Sequence, residues 1–103
     1  VRHPGTGDIW RRGSYKARLM KLDIRTRKWT TYGSGGYLEI YSTPAIDPKR
    51  NILVAVGGYD EKPQIKVWDL DSPHSDPYTP RTSGERDMER ASAPGFQYDP
   101  VSD

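Results

Sequence analysis

The sequence predicts an all-β chain of short antiparallel strands, and three observations carry that reading. Nine Pro and ten Gly among 103 residues leave no uninterrupted stretch for an amphipathic helix of ordinary length. Short runs rich in β-branched and aromatic residues recur every dozen residues or so, bounded by turn chemistry. The same strand and turn landmarks also return at an offset near 50 residues.

Taken in chain order, residues 18–23 (RLMKLD) alternate, with Leu19 on one face and Met20 and Leu22 on the other. Residues 28–32 (KWTTY) follow after a tight connection. Residues 51–56 (NILVAV) form a near-continuous apolar run ending in Gly57-Gly58, as expected of a strand buried on both faces. Residues 64–69 (QIKVWD) alternate again. Residues 42–46 and 94–98 are weaker strand candidates, each leading into an Asp-Pro turn, Asp47-Pro48 and Asp99-Pro100. The one helix-like stretch, residues 84–93 (GERDMERASA), has a single large apolar anchor, Met88.

Self-similarity organises these elements. Leu22-Asp23 matches Trp68-Asp69 at 46 residues, Trp29 matches Tyr78 at 49, and Ser34-Gly35 matches Ser83-Gly84 at 49. Ser42 and Pro44 match Ser92 and Pro94 at 50, and Asp47-Pro48 matches Asp99-Pro100 at 52. Small loop insertions produce such drift. A period near 50 with about four short strands per unit is the size of one blade of a β-propeller.

On the strand-plus-diglycine NILVAVGG, the following QIKVWDLD and the spaced Trp29, the chain resembles the kelch-repeat propellers, including the galactose-oxidase-like superfamily. The resemblance implies antiparallel four-stranded blades. It places Gly57 and Gly58 at the end of a second strand, Asp23 and Asp69 at the ends of third strands, and Trp29 at the start of an outer strand. Residues 1–41 are then the outer strands of a first blade with an irregular N-terminal segment. Residues 42–91 are one full repeat, and 92–103 the first strand of a following blade. Trp29 and Trp68 are expected in the core or between blades. A closed propeller needs about four to eight blades. The expected partners are therefore other blades, either in a longer chain or through association of several copies, and a first residue of Val rather than Met agrees with a processed or excised chain.

Composition bounds the functional classes. Leu, Ile, Val and Phe number seventeen, a thin aliphatic supply, supplemented by three Trp and seven Tyr. With a net charge of only +2, disorder is not the expectation. No Cys is present, which excludes disulfides, thiolate metal ligands and a Cys nucleophile. It also excludes the Cys–Tyr cross-link of galactose oxidase, so copper-radical chemistry does not carry over. No apolar run reaches the ~18–20 residues of a membrane span, and residues 1–10 lack a signal-peptide core. The compartment is left open.

Charge is uneven. Residues 1–50 carry eleven Lys/Arg and four Asp/Glu, and residues 51–103 carry five and ten, so the halves are +7 and −5. This pattern suits head-to-tail contacts between units. Residues 11–28, with eight Lys/Arg and one Asp beside Tyr15 and Trp29, also have the composition of a phosphate-binding stretch, although on an alternating strand such charges are more simply solvated faces. Nucleic acid is the least favoured partner. Its affinity would depend on Arg11, Arg12, Lys16 and Arg18 and fall steeply with salt.

Residues 33–36 (GSGG) lack the Lys-Ser/Thr and helix of a phosphate loop and read as a strand connection. His3 and His74, seventy-one positions apart, need Asp8 or Asp76 brought to them by folding before a metal site exists. Asp69, Asp71 and Asp76 lack the spacing of the familiar calcium loop and read as turn formers. No catalytic residue, cofactor or metal ligand is therefore assigned. The favoured reading is a non-catalytic scaffold whose loops, residues 33–41, 59–62 and 71–91, bind a protein or carbohydrate. The loop candidates are Ser34, Tyr37, Tyr41, Tyr59, Asp60, His74 and Tyr78. The alternative is a piece of a propeller enzyme whose catalytic groups lie elsewhere.

Overall fold

In a computed structural model of the chain, which describes residues 1–11, 18–32, 43–57, 65–84 and 96–101, six strands form two antiparallel three-stranded sheets. The chain is all-β, with no helix among the described residues. Sheet A contains β1 (Ile9–Arg11), β2 (Met20–Asp23) and β3 (Lys28–Thr31), and sheet B contains β4 (Thr43–Asp47), β5 (Ile52–Val56) and β6 (Ile65–Asp69). Each sheet is a simple meander. Beyond the named strands, Arg2 pairs with Ile9 beside β1 and Tyr78 with Val67 beside β6, both antiparallel.

Register decides which side chains face the core, because successive residues of a strand point to opposite faces. In sheet A, Trp10 lies opposite Lys21 and Lys21 opposite Thr30, so these share the inner face with Leu19 and Tyr32. In sheet B, Ile46, Leu53 and Trp68 lie in one row. The two sets meet: Trp10 and Leu19 cluster with Ile46, Leu53, Ala55, Trp68 and Leu70, and Tyr32 packs against them. Trp68, Leu19 and Leu53 are the largest fully buried side chains. Burying a side chain of Leu size contributes roughly 1.5–3 kcal/mol, so each member is a large part of a small domain's stability.

The outward faces are also apolar. On sheet A, Ile9 and Trp29 flank Leu22 across the strands, and Met20 lies on the same face. On sheet B the outward rows hold Ala45, Val54 and Val67, and Val56 beside Ile65. Ile9, Met20, Leu22, Ile52, Val54 and Ile65 are half-buried, and Trp29 and Tyr78 are 49% and 52% exposed.

Several expectations change. The irregular N-terminal segment in fact supplies β1 and buries Trp10; a three-residue strand with an Arg at its end carries too little alternation to be read. Trp29 lies outside the core of this chain because its register turns it away from sheet B. The strand of residues 51–56 is fully buried only on the Leu53 and Ala55 side and at Val56. Residues 96–98, the described part of the weak candidate 94–98, form no strand. Residue 58 and most of the helix-like stretch 84–93 lie outside the described residues.

Candidate functional site

One end of both sheets is built from turns in which a side chain holds the backbone. Asp47 Oδ1 accepts the amides of Lys49 (2.9 Å) and Arg50 (3.1 Å), after which Asn51 takes a φ of 53° and starts β5. Asp23 Oδ1 accepts Arg25 (2.9 Å) and Thr26 (3.2 Å), and Arg27 takes a φ of 60°. Asp69 Oδ1 accepts the amide of Asp71, and Asp99 Oδ1 that of Val101, each at 2.9 Å. Short Asx side chains favour such turns because they mimic a backbone carbonyl.

His3 makes the same turn with an imidazole. Its Nδ1 accepts the amides of Gly5 (3.0 Å) and Thr6 (3.2 Å), and Gly7 takes a φ of 80°. His3-Pro4 and Asp47-Pro48 are thus two copies of one turn, 44 residues apart, and Asp99-Pro100, 52 residues further on, shares its first bond. A Cβ on Gly5 meets His3 Cε1 at 3.1 Å, so the His version of the turn favours a small residue there.

Since Nδ1 accepts, the ring proton sits on Nε2, which donates to Asn51 Oδ1 at 2.8 Å. Asn51 Nδ2 in turn donates to Asp71 Oδ1 at 2.7 Å, and Asn51 O accepts from Leu70 N. This chain joins the turns of both sheets. A row of rings runs along the same interface: Trp10 stacks on Tyr32 at 5.6 Å, and Tyr32 meets His74 edge-on at 5.0 Å. Lys21 Nζ sits over Trp10 at 5.6 Å.

Electrostatics follow the turns. The amides of Thr26 and then Arg25 hold Asp23 below the ordinary Asp value. At Asp47 desolvation opposes ionisation but is outweighed by the Arg50 side chain and the amides of Arg50 and Lys49, so its pKa is also lowered.

The three Pro-containing segments converge on an open cleft of about 410 Å³, lined by Val1, Arg2 and Pro4, by Pro44–Ile46 and Pro48, and by Phe96–Tyr98 and Pro100. A neighbouring groove of about 280 Å³ separates Ala45–Asp47 and Val54 from Phe96–Asp99. Among the described residues no three His, Asp or Glu side chains are grouped to hold a metal ion.

Of the loop candidates, Ser34, Tyr37, Tyr41, Tyr59 and Asp60 lie outside the described residues. His74 is exposed on the connection after β6, packed on Tyr32, and Tyr78 pairs with Val67 further along that connection. His74 and Tyr78 are not brought to His3. The match of Trp29 with Tyr78 shifts by one residue: with Lys21 matching Val67 at 46, Tyr78 takes the position of Thr30, which stands opposite Lys21. Sequence reasoning weighed His3 only as a metal ligand and missed its turn, and it gave Trp10, Tyr32 and Asn51 no part in a site. The available signal was His3-Pro4 followed by a Gly, a turn with the outline of Asp47-Pro48. No family model, curated protein or solved structure matches this chain.

Proposed function

We propose that the chain is a sector of a kelch-type β-propeller, acting as a non-catalytic scaffold whose turns and connections bind a protein or a carbohydrate. The observation that carries this reading is the X-Pro turn repeated at His3 and Asp47, with the Asp99-Pro100 turn beside them around one cleft. In a propeller the innermost strands of successive blades line a central channel. On this reading segments 1–3, β4 and 96–99 correspond to that place. The isolated Arg2–Ile9 and Val67–Tyr78 bridges fall where this reading expects a fourth strand, innermost in A and outermost in B. Apolar side chains on both faces of each sheet suit blades stacked between neighbours.

The binding surface is assigned to exposed positions on two connections, Arg25 and Arg27 between β2 and β3 and His74 and Tyr78 after β6. Amphipathic aromatic rings beside charged groups suit sugar faces and peptide side chains. The test is a titration of isotope-labelled chain with a panel of oligosaccharides and of acidic and basic peptides, followed by amide NMR. Saturable shifts clustered at residues 23–27 and 71–78, with the added compound unchanged, support the reading. Chemical conversion of the compound, or shifts scattered over both sheets, overturns it.

A further inference from the structure

Each sheet has two edges, and three of the four are closed among the described residues. Beside β1, Trp10 N–H donates to Val1 O and the Val1 amino group to Trp10 O, both at 2.7 Å. Beside β6, Val67 and Tyr78 exchange two backbone bonds, at 2.9 and 3.0 Å. On β4 the register turns Pro44 away from β5, and a proline has no N–H to offer an incoming strand. The outer edge of β3 is different. Tyr32 N donates to Leu19 O at 2.8 Å, which makes Lys28 and Thr30 the residues of β3 that bond to β2. The N–H and C=O groups of Trp29 and Thr31 therefore point away from the sheet. No described residue pairs with them, and all four residues of β3 are exposed. Such a row of unpaired donors and acceptors is a template for an added strand.

The two sides of β3 differ in what they offer that strand. On the outward face Trp29 continues the cross-strand row of Ile9 and Leu22, with Met20 in the next row, so side chains added there meet apolar neighbours. On the other face Lys28 and Thr30 border the edge, and Lys21 lies behind Thr30. Asp23, opposite Lys28, has its Oδ1 turned to the amides of Arg25 and Thr26. Arg25 and Arg27 are exposed in the turn at the same end. Among the described residues Arg27 and Lys28 make no ion pair. We infer that β3 is a docking edge for an extended acidic segment of a partner protein. The segment adds antiparallel, as every described pairing in the chain does, with apolar residues on the Trp29 side alternating with Asp or Glu on the Lys28 side. A second copy of the chain fits less well, because it brings another basic edge against the first. The inference needs only sheet A, and it goes beyond the scaffold reading in that paired backbone, rather than a loop surface, holds the partner.

The probe is a blocked peptide of alternating valine and glutamate, titrated into the isotope-labelled chain and read by amide NMR and hydrogen exchange. Expected are saturable shifts centred on residues 28–31, exchange slowed at Trp29 and Thr31, and an affinity that falls with added salt. Antiparallel pairing sets the valines opposite Trp29 and Thr31, so N-methylation of the valines should abolish binding and N-methylation of the glutamates should spare it. Lysine in place of glutamate should weaken binding about tenfold or more, since like charges then face Lys28 and the turn arginines. Absence of saturable shifts overturns the inference. So does equal binding by the valine-methylated peptide, which would leave side chains alone holding it, or equal binding by the lysine peptide. Slowed exchange at Trp29 and Thr31 that grows with chain concentration and needs no peptide gives the edge to a second copy and overturns the acidic partner. Shifts confined to residues 71–78 overturn the docking edge and leave the scaffold reading standing.

Discussion

Nε2 of His3 lies 2.8 Å from Oδ1 of Asn51, so one bond couples the first turn of sheet A to the first turn of sheet B. His3 is only 6% exposed, and its three hydrogen bonds use both ring nitrogens. Replacement by Leu removes the acceptor of the Gly5 and Thr6 amides and the donor to Asn51 Oδ1. An unsatisfied buried group costs about 1–3 kcal/mol, so His3→Leu is expected to lower unfolding stability by about 2 kcal/mol in urea titrations. A loss below about 0.5 kcal/mol would separate the two turns energetically.

Trp68 joins both halves of the core at 1% exposure, and its indole N–H has no partner among the described residues. Trp68→Ala is expected to cost about 3–5 kcal/mol, as deletion of a buried aromatic does. Trp68→Phe sacrifices no hydrogen bond to those residues and leaves a smaller void, so it should cost well under half as much. Equal losses for both variants would mean that the N–H is bonded.

Acid titration probes the turns at Asp23 and Asp47. Both carboxylates have pKa values below the ordinary 3.8 in the folded chain. The folded state therefore binds fewer protons than the unfolded one, and the stability they contribute is full above that ordinary value and lost as pH falls through the lowered values. Asp23→Asn keeps an oxygen acceptor for the Arg25 and Thr26 amides but removes the titration. The urea midpoint of this variant should fall less between pH 6 and pH 2 than that of the parent, and an identical fall would clear Asp23 of any part in acid sensitivity.

Trp29, 49% exposed, differs from Trp10 and Trp68, at 5% and 1%. Trp29→Ala should change single-chain stability by less than about 0.5 kcal/mol, the usual range for surface positions. Acrylamide quenching of a Trp10→Phe, Trp68→Phe chain should be strong, as for an indole largely in water. Quenching as weak as that of a buried indole would contradict the outward register of Trp29.

Strand type and most boundaries were legible because alternation and Asx chemistry act locally: β2, β3, β5 and β6 fall within one or two residues of the runs read from the sequence. The reversals at Asp47-Pro48 and Asp99-Pro100 were visible for the same reason. Strand β1 was not, since its three residues gain their identity from pairing with β2 rather than from pattern. Nor was the His3 turn, because imidazole substitutes for carboxylate only when two amides are aimed at Nδ1. The meeting of Tyr32 with His74 depends on the sheets being stacked, which no local window encodes.

The side-chain-held turns leave a mark on how chain length varies. Counterpart residues stand 44 apart from His3 to Asp47 and from Ile9 to Leu53, 46 apart from Lys21 to Val67, 48 apart from Thr30 to Tyr78, and 52 apart from Asp47 to Asp99. Six of the eight added residues therefore enter through the connections that leave β1 and its counterpart β5, and β3 and its counterpart around Tyr78. The strand ends that they leave lie at the rim away from the His3, Asp23 and Asp47 turns. Two enter through the loop after Asp69. One rim acts as a fixed hem that sets register, and the other as the margin where residues are gained without shifting a strand. Peptide grafts belong in that margin.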